Sequence, residues 1–93
     1  MRFEWEVEKA TLNVAKHGVS FEEAVEVFTD TGALEAYDSL HSEADQRFFI
    51  IGLSSRRLLY VVYCERRPDF VRIISARRAN KMERRVYERR INR

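Results

Sequence analysis

The chain has 93 residues, 45% of them hydrophobic and 12% aromatic, with 17 Lys/Arg against 15 Asp/Glu and a formal net charge of +2. That composition fits one domain, 1–93, with a single modest core, and excludes an intrinsically disordered chain. No apolar run approaches a membrane span, and the acidic start "MRFEWEVEK" lacks the apolar segment of a signal peptide, so the expected setting is the cytoplasm with no membrane contact. The single cysteine, Cys64, permits neither an internal disulfide nor a cysteine metal site, and reads as a small buried thiol.

The small net charge hides an asymmetry. Residues 1–45 carry 3 Lys/Arg against 11 Asp/Glu, whereas the remainder carries 14 against 4, giving balances of −8 and +10. Such a chain turns a basic side to a polyanion or to an acidic partner that shields it, unless the two halves neutralise each other across the fold.

In chain order, "RFEW" predicts a short strand. Val7, Ala10 and Val14 recur at helical spacing through Val7 to Lys16, and "KHG" supplies cations in the last turn followed by a stop at Gly18. "SFEE" is a capping box, with Ser20 as N-cap and Glu23 three residues on, opening a helix whose Ala24, Val25, Val27 and Phe28 form an apolar stripe. After "TDTG" the pattern changes to four strands, "ALEAYD", "QRFFIIGLS", "RLLYVVYCE" and "FVRIISA", whose short connections predict an antiparallel meander. Asn80 and Glu83 form a second capping box, and Met82, Val86 and Tyr87 give the final helix one apolar side. The expected fold class is α+β in the order βααββββα, with the helices packed on one antiparallel sheet.

If the polyanion is RNA, cutting it without a metal would need a group to take the 2′-hydroxyl proton, a donor for the leaving 5′-oxygen, and cations around the phosphate. A metal-dependent nuclease needs several convergent carboxylates, and the basic half has only four acids, spread from Glu65 to Glu88, so no metal site is expected there. If "RRPD" is the loop between the last two strands, Glu65 faces Phe70 and Tyr63 faces Arg72, so that Glu65, Tyr63 and Arg72 share one face; a three-residue loop would put Glu65 and Arg72 on opposite faces. Arg72, flanked by Val71 and Ile73, calls for a salt bridge to Glu65 or exposure in a cleft, and a purely structural pair is the alternative. Arg77 and Arg78 lead into the last helix near Asn80, where free backbone N–H groups favour phosphate.

Lys16 and His17 have two readings, as cations at a helix C-terminus or as a phosphate contact and a proton-transfer group. The other histidine, His41, lies in the loop "DSLHSEADQ". Tyr87 and Trp5 read as core rings. Arg84, Arg85, Arg89, Arg90 and Arg93 form a solvated basic face able to attract RNA. The candidate catalytic set is thus Glu65, Arg72, Arg77 and His17, with Arg78, Lys16, Tyr63 and Arg84 as RNA contacts.

Taken together, "FEWxxEK", "NxxKHGVSFEEA", "ERRxxxxRIISARRA" and "ERRxYE", in this order of elements and spanning Phe3 to Glu88, resemble the BrnT family of bacterial type II toxins, small ribonucleases with a RelE-like fold. Two positions depart from that pattern: Glu6, a poorer helix N-cap, stands where the family usually has Asp, and Asp30-Thr31 where Asp-Pro is common. The resemblance implies a metal-independent, cofactor-free endoribonuclease that cuts RNA by 2′-hydroxyl attack. It also implies a cognate BrnA-like antitoxin with a ribbon-helix-helix DNA-binding part, so that promoter DNA is met only through the antitoxin. That partner is expected to cover the Arg72 to Arg78 surface. The alternative is a non-catalytic basic module that binds nucleic acid or an acidic protein.

Overall fold

A computed structural model describes residues 1–40, 42 and 46–92. His41 and Arg93 lie outside the described residues. The chain forms β1 (Arg2–Glu4), α1 (Val7–His17), α2 (Phe21–Glu26) with a 3-10 turn at Val27–Thr29, β2 (Leu34–Tyr37), β3 (Arg47–Leu53), β4 (Leu58–Arg67), β5 (Phe70–Arg78) and α3 (Lys81–Ile91). The expected element order is therefore found.

One sheet runs β1-β5-β4-β3-β2, and β2 to β5 form the expected antiparallel meander. The sheet is not wholly antiparallel, however, because β1 adds beside β5 in parallel. The cause is the α1–α2 pair, which carries the chain across the sheet from one edge strand to the other.

Nor do the helices form one layer. Strand side chains alternate between faces. Ile50, Leu59, Val61, Ile73 and Ala76 pack with Phe21, Ala24 and Val27 under α1 and α2, whereas Ile51 and Leu58 pack with Tyr87 of α3 on the other side.

The β4–β5 register differs from the sequence expectation. Glu65 pairs with Val71, Cys64 with Arg72 and Tyr63 with Ile73, and the ladder shifts between Val62 and Tyr63 and again between Glu65 and Arg67. Each bulge adds a residue to one strand and reverses the facing of everything beyond it. Tyr63 keeps the facing of Leu59 and Val61 in the core beneath the α1–α2 layer, while the extra β5 residue, Ile74, turns Arg72 to the opposite face with Cys64 and, through β1, with Glu4. The expected Glu65–Tyr63–Arg72 face does not exist; Glu65 and Arg72 point to opposite sides of the sheet.

Candidate functional site

The antiparallel pairing of Leu59 with Arg78 brings the start of β4 beside the end of β5. The turn before β4 and the first turns of α3 therefore meet there, enclosing an open cleft of about 470 Å³ lined by Arg56, Arg57, Leu58, Arg78, Ala79 and Arg84. Arg56, Arg78 and Arg84 are exposed. The guanidinium groups of Arg78 and Arg84 make no hydrogen bond or ion pair among the described residues. Unpaired cations converging on a concave surface suit a phosphate, which spreads its charge over several oxygens.

Arg57 is held differently. Its Nε and Nη2 donate to Glu23 Oε2 and Oε1 at 3.0 and 2.9 Å, and Nη2 also donates to the Gly18 carbonyl at 2.8 Å. Glu23 is buried, and its Oε2 accepts a further bond from Ser54 Oγ at 2.7 Å. The Arg57 hydrogen bond holds the Glu23 carboxyl below its ordinary range; burial opposes this, and the Ser54 bond and nearby arginine charge assist it.

The "KHG" segment arrives at Arg57 because Gly18 closes α1 in the left-handed conformation, φ 68°. Asn13, buried in α1, then fixes the helix to the end of β5: Nδ2 donates to the carbonyls of Val19 and Ala76 at 2.8 Å each, and Oδ1 accepts from Ala76 N at 3.2 Å. Half-buried His17 and exposed Lys16 directly precede the glycine that Arg57 grips, so both belong to the cleft end of the molecule.

The remaining sequence candidates lie elsewhere or are already committed. Arg77 lies over the Tyr60 ring at 4.2 Å and makes a bidentate pair with Glu83, Nη1 to Oε1 at 2.9 Å and Nη2 to Oε2 at 2.8 Å, and its Nη1 also donates to the Arg78 carbonyl. Arg72 donates through Nε to Glu4 at 2.8 Å and through Nη1 to Glu6 at 3.2 Å, so the acid that neutralises it comes from β1 and the α1 N-cap, not from Glu65. Glu6 makes no side-chain cap for α1, consistent with its diversion to Arg72. Tyr63 donates its hydroxyl to Glu35; burial, reinforced by that carboxylate, pushes its pKa far above the ordinary tyrosine value. Glu65 is exposed beside Tyr63. Six residues of strand at ~3.3 Å each separate Arg72 from Arg78 by roughly 20 Å. The sequence candidates are thereby split: Arg78, Arg84, Lys16 and His17 gather at one end of the β4–β5 pair, and Glu65, Tyr63 and Arg72 stand at the other.

Sequence reasoning missed Arg56, Arg57 and the part played by Glu23. A signal was present, since in an antiparallel meander the turn before β4 must lie at the end of β5, which puts "SSRR" beside "ARRA". Among the described residues no three His, Cys, Asp or Glu side chains gather as a metal site, and no helix is long and apolar enough to cross a membrane.

Residues 5–83 match the family described as "Ribonuclease toxin, BrnT, of type II toxin-antitoxin system". The chain belongs to the BrnT family. Its fold is similar to that in the 1.1 Å crystal structure of the Brucella abortus ribonuclease toxin BrnT, with a TM-score of 0.64 and 23% sequence identity over 87% of this chain and 99% of that one. A comparison with curated proteins gives no match. As a BrnT-family chain it is a ribonuclease toxin of a type II toxin-antitoxin system, which implies an antitoxin partner.

Proposed function

We propose that this BrnT-family chain is a metal-independent endoribonuclease whose reaction takes place at the arginine cleft. The observation that carries this reading is the division of the arginines: Arg72 and Arg77 are neutralised by carboxylates, whereas Arg78 and Arg84 line the cleft with no side-chain partner among the described residues, beside an immobilised Arg57. Arg57, Arg78 and Arg84 hold the scissile phosphate and stabilise the charge that builds on it as the 2′-oxygen attacks. His17 moves the proton, taking it from the 2′-hydroxyl and passing it on to the leaving 5′-oxygen, and Lys16 contacts a neighbouring phosphate. The P–O5′ bond breaks as the new P–O2′ bond forms, leaving a 2′,3′-cyclic phosphate and a free 5′-hydroxyl. Glu65, Arg72 and Arg77 have structural parts in this scheme. In the cytoplasm a BrnA-like antitoxin with a DNA-binding part neutralises the toxin by covering the cleft with an acidic segment.

The test is cleavage of a single-stranded RNA by purified protein, with and without EDTA. EDTA leaves the rate unchanged. Arg78→Ala and Arg84→Ala each slow cleavage by about tenfold or more, while Arg72→Ala stays within about threefold of the parent, as expected of a partly exposed ion pair. Full activity in the Arg78→Ala, Arg84→Ala double variant removes the cleft from consideration, and loss of cleavage in EDTA rejects the metal-free mechanism. RNA affinity with no cleavage in any variant supports the non-catalytic binding module instead.

A further inference from the structure

We infer that Glu23 is a positioning residue, which holds Arg57 in the orientation that RNA cleavage requires. This inference rests on the cleft reading above.

Two capping boxes in the same chain supply an internal comparison. At the start of α3 both halves form: Asn80 Oδ1 accepts from Glu83 N at 2.8 Å, and Glu83 Oε1 accepts from Asn80 N at 2.9 Å. At the start of α2 only one half forms. Ser20 Oγ accepts from Glu23 N at 3.0 Å, but both Glu23 carboxylate oxygens turn away to Arg57, and one of them also accepts from Ser54. A local rule obeyed at one helix and broken at another in the same chain marks a site where something other than helix stability decides.

Helix capping does not explain the diversion, since it forgoes half of the α2 cap. Glu23 is 7% exposed and Arg57 18%. A pair this deep must overcome the desolvation of two charges, and well-packed apolar groups of similar size commonly do as well or better. What the pair gives is geometry. Bonds to Glu23 use Nε and Nη2, and the Gly18 carbonyl takes a second bond from Nη2. Among the described residues that leaves Nη1 unbonded on a guanidinium that lines the cleft. Arg56, Arg78 and Arg84 reach the same cleft on long exposed side chains. Arg57 is the only one of the four lining arginines with described carboxylate and carbonyl partners, so it alone offers a donor fixed before substrate arrives. A preorganised donor acts mainly on the transition state, and its loss appears in kcat rather than in KM.

The experiment is a kinetic double-mutant cycle on the full chain with Glu23→Gln and Arg57→Lys, alongside melting temperatures. Lysine keeps the charge but loses the planar fork, and glutamine keeps one acceptor but loses the charge. Each single variant is expected to lower kcat by roughly a hundredfold with KM within about twofold. Combining them is expected to cost no more than Arg57→Lys alone, because Glu23 acts only through Arg57. Losses that multiply to about ten-thousandfold overturn the positioning role while leaving the cleft in place. An Arg57→Lys variant with parental kcat overturns Arg57 as a cleft cation, and positioning with it. Should Glu23→Gln fail to fold, Ser54→Ala loosens the same carboxylate from the turn and substitutes for it in the cycle: non-additivity with Arg57→Lys supports the inference, and multiplied losses reject it.

Discussion

At the residue scale, Asn13 carries more of the architecture than any charged group near it. Its one amide satisfies the backbone N–H and carbonyl of Ala76 together with the carbonyl of Val19, all in a buried setting. Asn13→Ala leaves those backbone groups without partners, at a cost of about 2 to 4 kcal/mol, measurable as a lower midpoint in urea unfolding. A change below about 0.5 kcal/mol would show that water replaces the amide. Nothing in the sequence distinguished this asparagine from an ordinary polar position on an amphipathic helix, because its partners lie on backbone far along the chain.

Three acids behave as a group when the pH is lowered. Asp30 accepts from the Tyr87 hydroxyl at 2.6 Å and from the N–H groups of Gly32 and Leu53; burial raises its carboxyl, but these bonds outweigh it and leave the pKa depressed. Tyr87, desolvated and bound to that carboxylate, is pushed up to about 12 and remains a donor. At Glu83 burial likewise raises the carboxyl, and the Arg77 and Asn80 bonds outweigh it; with Glu23 this makes three carboxylates held below their ordinary values. A depressed folded-state pKa contributes stability that is complete above the unfolded-state value, about 4, and is lost as pH falls through the folded one. Thermal melts should therefore stay level from neutral pH to about pH 4.5 and decline below it. A decline beginning near pH 6 would show that these three carboxylates do not set the acid limit of stability.

At the scale of elements, α3 shows how a helix cap serves a strand. Glu83 closes the capping box and grips Arg77 at the end of β5 with the same carboxylate. Asn80→Ala removes the cap, at about 1 kcal/mol, and for a domain of this size the melting temperature should drop by roughly 4 to 8 °C. Both N-cap residues, Ser20 and Asn80, and the whole element order were legible in the sequence, because caps and hydrophobic periods are local; that Glu23 leaves its box half made was not. The facing of Arg72 was not. Two bulges in β4 and β5 reverse side-chain direction without altering composition, so the strands were read correctly and the pairing between Tyr63 and Arg72 was not. Arg57 was passed over for another reason: it stands in a serine-flanked turn, and its significance comes from the neighbours that the meander gives it.

Across the whole molecule, the charge division seen along the sequence becomes a division in space. Acidic α2, together with α1, covers one face of the sheet, and arginine-rich α3 covers the other, with the cleft where the end of β5 leads into α3. RNA binding should accordingly weaken with salt. Four cleft arginines on a single strand give a slope of log K against log salt of about −3, readable by fluorescence anisotropy. A slope near zero would mean that base stacking, not the cleft, holds the RNA. The sign of each half was legible in the sequence, but not that the acids of β1 and α2 reach across to Arg72 and Arg57.

The parallel strand β1 bears on how the molecule comes into being. Glu4 meets Arg72 across a separation of 68 residues, and no nearer strand can take the place of β5 at that edge. Joining them closes a long loop, so this contact forms late and slows the approach to the native state. During translation the opening strand must wait for the end of the meander, and Arg78 and Arg84 emerge later still. A chain made only as far as β4 therefore has Arg56 and Arg57 but neither the Arg78 nor the Arg84 wall of the cleft.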